Sequence, residues 1–303
     1  MRRILIVLFL LNGFMLAQDN ILSTAIITST DKGQNVTLPA PYNTVWAGTL
    51  KGTVNGENKN FYCVDIKHTL AMNQPYQDVE PTISQVTYIL NNYYPYRTNY
   101  PGKLTDAKEA AAVQCAIWYF TDTVDISAMT TTDIRTRALA IIDASLLNNN
   151  LVMPIRTLIL EAPNQSFLAG TPIDFYIETY NSINSPVPGV EITLEATGGT
   201  LSTTTIVTNS SGVAGPVKIT PNPGSYTATV KATGVVTIPQ GTKYYHVASP
   251  NSKQKLVLAT PAIDTKTVYT TLKWWDAIDL SVAKTSSATF ANHGDRLTYN
   301  ITV

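Results

Sequence analysis

The chain has 303 residues, of which 44% are hydrophobic and 14% charged. This length favours about two domains, and the composition excludes a disordered, highly charged chain. Lys and Arg together number 21, as do Asp and Glu. The sequence therefore lacks the excess of positive charge that is typical of nucleic-acid-binding proteins. The three histidines are far apart in sequence, and no phosphate-loop or EF-hand pattern occurs, so we expect no metal and no cofactor.

The first 17 residues predict an export signal. Arg2 and Arg3 form a basic start, residues 4–11 are apolar, and residues 14–17 lead to a cut before Gln18. The apolar run is too short to span a bilayer, and no longer one follows. We therefore expect a secreted protein whose mature chain is not inserted in a membrane.

Residues 20–153 mix strand-like and helix-like segments and predict an α+β domain. β-Branched or alternating segments predict strands at 25–30, 45–50 and 61–66. Apolar residues at helical spacing then predict helices at 81–92, 105–120 and 131–148, with Thr105 or Asp106 as a helix cap.

Residues 154–275 lose the helical periodicity. Short strands separated by Gly-, Pro- and Asn-rich turns predict an all-β sandwich, with strands at 157–161, 173–177, 191–194, 217–219 and 226–230. Residues 276–303 carry two more strand patterns, and about 25 residues cannot bury a core alone. We interpret them as the start of a further, incomplete β-sandwich repeat. We expect the chain to be the monomeric tip of a longer polypeptide.

The two cysteines, Cys63 and Cys115, allow two interpretations. In an oxidising compartment the simplest is a disulfide between them. The alternative uses Cys63 as a nucleophile toward the side-chain amide of Gln114. An amide is a poor electrophile, so its carbonyl must be held close to the sulfur, where well-oriented groups reach effective molarities of roughly 10⁵–10⁸ M.

Two motifs carry a family resemblance that favours the second interpretation. Phe-Tyr-Cys-Val-Asp at 61–65 and Val-Gln-Cys-Ala-Ile-Trp at 113–118, with the helical segment 88–92 between them, resemble the signatures of thioester domains of bacterial surface adhesins. Members often have Thr at the position of Val113, and Cys115 beside the Gln is a second departure. The resemblance covers roughly residues 40–150 and implies a bond between the Cys63 sulfur and the Gln114 carbonyl, formed with loss of ammonia.

Neighbouring residues could support this chemistry. On a helix, Gln114 shares its face with two alanines, Ala110 and Ala111, which leave room for a strand, and with Trp118, which can shield the bond from water. Tyr62, Asp65 and His68 are possible supporting groups without a firm role. We expect Asp65, two residues along the strand, to share the face of Cys63. A Cys63–Asp65–His68 triad is disfavoured, because triad members are seldom clustered in this way.

The function implied by the resemblance is covalent capture. A Lys amine on a protein, or another amine-bearing surface ligand, attacks the Gln114 carbonyl and leaves an amide bond. The protein would then be a single-turnover binder rather than an enzyme, and a cell-surface adhesin. The alternative is a non-catalytic surface stalk or binding protein with a structural Cys63–Cys115 disulfide. The Tyr-rich segment 93–100 is either a docking surface for the target or a loop packed on its own domain.

The later regions carry weaker resemblances. Segments 208–214 and 224–230 are similar to bacterial immunoglobulin-like domains of the invasin and intimin kind, which implies a spacer. Together these interpretations predict a multidomain chain. It consists of an α+β thioester domain followed by an all-β Ig-like sandwich. The segment from 279 looks like the opening of a tandem surface-protein repeat, in which Lys284 could form an isopeptide bond.

Overall fold

The computed structural model describes residues 22–148, 155–161, 166–181, 184–276, 283–286, 290, 292–294, 296 and 298–302. The predicted export signal at 1–17 lies outside these residues. Within them, every helix is too short or too polar to cross a membrane.

Strands are far more numerous than helices among the described residues. Their bounds are β1 (Thr24–Thr37), β2 (Thr44–Val54), β3 (Glu57–Cys63), β4 (Pro75–Pro81), β5 (Ile155–Glu161), β6 (Phe167–Leu168), β7 (Ile173–Asn181), β8 (Glu191–Thr197), β9 (Gly199–Leu201), β10 (Thr205–Val207), β11 (Val213–Pro221), β12 (Thr227–Ile238), β13 (Thr242–His246), β14 (Leu256–Leu258), β15 (Ala262–Trp275), β16 (Ala283–Ser286) and β17 (Tyr299–Thr302). The helices are α1 (Ser84–Asn92), α2 (Asp106–Asp122) and α3 (Thr132–Leu146), with a 3₁₀ turn at Ile126–Ala128.

The first body is a closed barrel with the strand order β1-β2-β3-β14-β13-β4. Its closure depends on two strands from late in the sequence, because β14 pairs with β3 and β13 pairs with β4. Phe61, Tyr76 and Tyr244 are fully buried in the barrel core. Closing the sheet removes edge strands that would otherwise expose unpaired backbone groups.

This closure corrects the predicted domain boundaries. The sequence analysis assigned residues 242–258 to the sandwich at 154–275, whereas these residues complete the barrel of the first domain. The chain therefore leaves the barrel after α3, returns to it for β13 and β14, and re-enters the sandwich with β15.

The helices pack on the barrel and match the predicted ones within a few residues. Helix α2 is buried through its middle, with every residue from 109 to 118 in the interior. The predicted cap is only partly observed, because Thr105 occupies the N-cap position but makes no side-chain capping bond. The buried Glu109 carboxylate instead accepts a hydrogen bond from the Leu104 N–H at 2.8 Å.

The second body consists of two sheets around one apolar core. One sheet has the order β10-β8-β12-β15-β6 and the other β5-β7-β11-β9. The predicted strands of this region correspond to β5, β7, β8, β11 and β12, so its all-β character is as expected. Its identity as an Ig-like domain stays a prediction.

Two long strands join the sandwich to the barrel. Ile238 at the end of β12 and Ala262 at the start of β15 both belong to the barrel core. Asn55, in the turn between β2 and β3, donates a hydrogen bond to the Asp264 carboxylate at 2.7 Å. The two bodies thus share strands and a side-chain contact.

Near the end of the chain, β16 and β17 pair antiparallel, with Lys284 opposite Ile301. These strands overlap the predicted ones. The Lys284 side chain lies outside the described residues, so its isopeptide bond stays a prediction.

Candidate functional site

Cys63 is the last residue of β3 and is held by the barrel. It lies opposite Leu256 of β14, and both residues are buried. Phe61 belongs to the barrel core, whereas Tyr62 and Cys63 belong to the cluster between barrel and helices. The end of β3 therefore carries the thiol into the interface with α2.

Gln114 meets Cys63 from the middle of α2. Its Oε1 accepts a hydrogen bond from the Cys63 N–H at 2.9 Å, and its Nε2 donates one to the Cys63 carbonyl oxygen at 2.8 Å. The side chain is only 1% exposed. Ala110 and Ala111 on the same helix are fully buried, and their small side chains suit the expected close approach of strand and helix.

The thiol itself lies in a dry environment. Burial raises the pKa of Cys63 to about 12, and the nearby charges of Asp122 and Asp65 act in the same direction. The Asp65 N–H donates to the sulfur at 3.2 Å and lowers the pKa, as does the Trp118 indole. That indole N–H is buried with no partner at ordinary hydrogen-bond geometry among the described residues, which leaves it available to the sulfur.

Asp65 contacts the sulfur by a route that the sequence analysis did not predict. Strand β3 ends at Cys63, so Asp65 lies in the following turn and does not share a strand face with it. The turn points the Asp65 backbone N–H at the sulfur. Its carboxylate oxygens lie 2.9 and 2.8 Å from Nδ1 of His68, whose side chain is 38% exposed.

Tyr62 has a different environment from these groups. Its fully buried hydroxyl donates to the Tyr94 carbonyl oxygen at 2.9 Å. Burial raises the pKa of Tyr62 well above its ordinary value. Tyr62 therefore joins β3 to the segment after α1.

Asp122 is a further residue of the site, and the sequence analysis missed it. Its Oδ1 accepts a hydrogen bond from the Ile66 N–H at 3.2 Å, which fixes the turn after Cys63. Burial raises the pKa of this carboxyl group. Residues 114, 118 and 122 follow one stripe of α2 at intervals of four, so helical periodicity could have indicated it.

Cys115 faces away from this arrangement. It follows Gln114 by one residue, which on an α-helix is a rotation of about 100°. Its sulfur lies 3.9 Å from the Met129 sulfur, and burial raises its pKa to about 12. Both cysteines are free in the structure, which contradicts the predicted alternative of a Cys63–Cys115 disulfide.

The same part of the chain matches a known protein family. Residues 60–149 match the thioester domain. This matched region contains Cys63, Gln114 and all three helices described above, while β1, β2, β13 and β14 lie outside it. No curated protein sequence matches the chain.

Solved structures similar to this chain include the following three bacterial proteins. The thioester domain of the Enterococcus faecium TIE86 protein is 14% identical, with a TM-score of 0.44, and the match covers 87% of this chain and 100% of that one. The Bacillus anthracis TIE protein is 12% identical, with a TM-score of 0.41 and coverage of 87% and 50%. The N-terminal domain of the Streptococcus pyogenes pilus tip adhesin Cpa is 19% identical, with a TM-score of 0.29 and coverage of 47% and 87%.

The Tyr-rich segment 93–100 packs largely on its own domain. The buried Glu109 carboxylate accepts hydrogen bonds from Arg137 at 2.9 and 3.1 Å and from the Tyr100 hydroxyl at 3.0 Å. The Arg137 guanidinium lies 5.5 Å from the ring centre of Tyr93 and 5.6 Å from that of Tyr100. These contacts favour the interpretation as a packed loop, although Tyr96 remains 44% exposed.

Proposed function

We propose that this protein is a bacterial cell-surface adhesin that captures an amine through an internal Cys63–Gln114 thioester. The observation that carries the proposal is the pair of hydrogen bonds between the Gln114 amide and the Cys63 main chain. The family match over 60–149 supports the same chemistry. A similar structure is described as a pilus tip adhesin, which supports a location at the cell surface.

Thioester formation joins the Cys63 sulfur to Cδ of Gln114. The thiol loses its proton, the C–N bond of the amide breaks, and ammonia leaves with that proton. Negative charge develops on Oε1 during the attack, and the Cys63 N–H at 2.9 Å already points at this oxygen. Donors at about 2.7–3.1 Å from a developing oxyanion stabilise it strongly in a water-excluded site.

Capture of the target breaks the thioester at the same carbon atom, Cδ of Gln114. A neutral Lys amine attacks Cδ of Gln114, the C–S bond breaks, and Cys63 leaves as a thiolate. The Asp65 N–H and the Trp118 indole stabilise that thiolate. We assign to His68, oriented by Asp65, the role of accepting the proton that the amine loses.

The reaction occurs once per molecule, because the new amide bond is stable. The protein is therefore a covalent binder without turnover. Its partner is a protein, or another surface ligand, that carries a primary amine.

Intact mass spectrometry tests the proposal. The purified protein should weigh one ammonia less than its sequence requires, and methylamine should add once and release a thiol that iodoacetamide then labels. Peptide mapping should place the methylamide at Gln114. A full-length mass without loss of ammonia, together with no methylamine uptake, would refute the proposal.

Two single-cysteine variants provide the matched comparison. Cys63→Ala should lose both the ammonia deficit and the methylamine adduct. Cys115→Ala should retain both, because the Cys115 sulfur faces Met129. Equal behaviour of the two variants would contradict the assignment of the reactive cysteine.

A further inference from the structure

A groove opens beside the proposed thioester. Its volume is about 500 Å³. Val64, the residue after Cys63, lines it together with Phe120 and Thr121, which follow Trp118 on α2. The groove and the reacting groups therefore share parts of the same two chain segments.

Two lysines and one carboxylate also line this groove. Lys243 forms an ion pair with Glu80, and hydrogen bonding from Lys243 together with the charge of Lys255 lowers the pKa of Glu80. The Lys255 ammonium lies 5.3 Å from the ring centre of Tyr245, with no carboxylate at ion-pair distance in the described part of the chain. Two positive groups thus face one negative group.

The remaining lining includes apolar surface. Pro81, Ile83 and Phe120 contribute side chains to the groove, and Ile83 is 46% exposed. Pockets that combine apolar side chains with a few placed charged groups can fix the orientation of the group they bind. An amine approaching alone would meet the uncompensated charge of Lys255, which repels an ammonium group.

We propose that this groove docks an acidic segment of the target protein, whose carboxylate pairs with Lys255 and whose neighbouring lysine reacts at Gln114. The proposal rests on the thioester chemistry above and adds the chemical class of the partner. Complementary charges accelerate encounter and fix the register of the bound segment. The target lysine is then selected by the acidic residue beside it.

Short lysine peptides test this selection. The probes are acetyl-Glu-Gly-Lys-amide and acetyl-Lys-Gly-Glu-amide, each compared with its Gln counterpart, and adduct formation is followed by intact mass at low ionic strength. We expect at least one Glu peptide to react about threefold faster than its Gln partner, the scale of one exposed ion pair. The advantage should disappear in about 0.5 M salt, where charges are screened within a few Å.

Variants separate this proposal from the underlying chemistry. Lys255→Gln should bring the ratio of the Glu-peptide rate to the Gln-peptide rate down to about one, while methylamine still adds at Gln114. Lys253→Gln, two residues away and outside the groove, should keep the advantage. If methylamine fails to add to any form, the thioester function fails. If methylamine adds but Glu and Gln peptides react equally, only the acidic-segment proposal is overturned.

A sulfated sugar is the competing occupant of a cationic groove. The probe is a heparin disaccharide. If it slows adduct formation by all lysine peptides equally, and if this slowing is lost in Lys255→Gln, the groove binds sulfated sugars. That result, with equal rates for Glu and Gln peptides, would overturn the proposal. Competition by acetyl-Glu-Gly-Gln-amide, which cannot form an adduct, would support it.

Discussion

The side-chain amide of Gln114 is docked on the main chain of Cys63 by two hydrogen bonds, one accepted at 2.9 Å and one donated at 2.8 Å. The amide thus occupies the place that a neighbouring strand would take at the end of β3. This arrangement brings a carbonyl carbon to a residue that carries a thiol, and it satisfies backbone groups that would otherwise be buried without partners.

The raised pKa of Cys63 predicts that its thiol reacts slowly with alkylating reagents. After methylamine has opened the thioester, Cys63 should be alkylated by iodoacetamide at pH 8 about 10³-fold more slowly than the same residue in the unfolded chain. A shift from an ordinary value of 9.0 to about 12 reduces the thiolate fraction at pH 8 by about that factor. The rate should rise about tenfold per pH unit between pH 8 and 10. A plateau near pH 9 would contradict the raised pKa.

The Trp118 indole should act on the leaving group. Trp118→Phe keeps an aromatic ring over the site but removes the N–H that lowers the pKa of the Cys63 thiol. Loss of the hydrogen bond that this N–H would form as charge develops on the leaving sulfur, worth about 1 kcal/mol, should slow methylamine uptake about fivefold. Trp118→Ala should instead raise the rate of spontaneous hydrolysis, because water then reaches the bond. An unchanged rate for the Phe variant would limit Trp118 to shielding.

The buried pair of Glu109 and Arg137 should contribute strongly to stability. Arg137→Ala leaves the Glu109 carboxylate buried without its cation, which should lower the free energy of unfolding by about 3–5 kcal/mol. Lys108→Ala is the matched control, because the Lys108–Asp133 pair also joins α2 to α3 but is 45% exposed on both sides. Its loss should cost less than about 1 kcal/mol. Urea unfolding measures both, and similar losses would contradict the burial argument.

The barrel should not fold without the late strands. A chain that ends at residue 153 lacks β13 and β14, which leaves β3 and β4 as unpaired edges and exposes the barrel core. We expect this shorter chain to aggregate, or to give an NMR spectrum with the narrow spread of amide chemical shifts of an unfolded chain. A chain of residues 22–276 should fold. Cooperative unfolding of the shorter chain would restore the boundary predicted from the sequence.

Local sequence patterns predicted the secondary structure around the site. The spacing of apolar residues predicted the three helices, and the β-branched and alternating segments predicted part of each of β1, β2 and β3. These signals depend on neighbours within about four residues, so they survive without tertiary information. β14 was missed because its three residues, Leu256–Leu258, are all buried and too few for a periodic pattern.

The order of residues along the chain fixes which reactive groups are present: one thiol at the end of a strand, one amide in the middle of an Ala-rich helix, and an aromatic residue four positions later. How these groups meet depends on the tertiary fold. The return of β13 and β14, the turn that directs the Asp65 N–H at the sulfur, and the separation of Cys115 from Cys63 all depend on contacts between distant residues. Such contacts follow from the joint packing of strands and helices, which no local pattern contains.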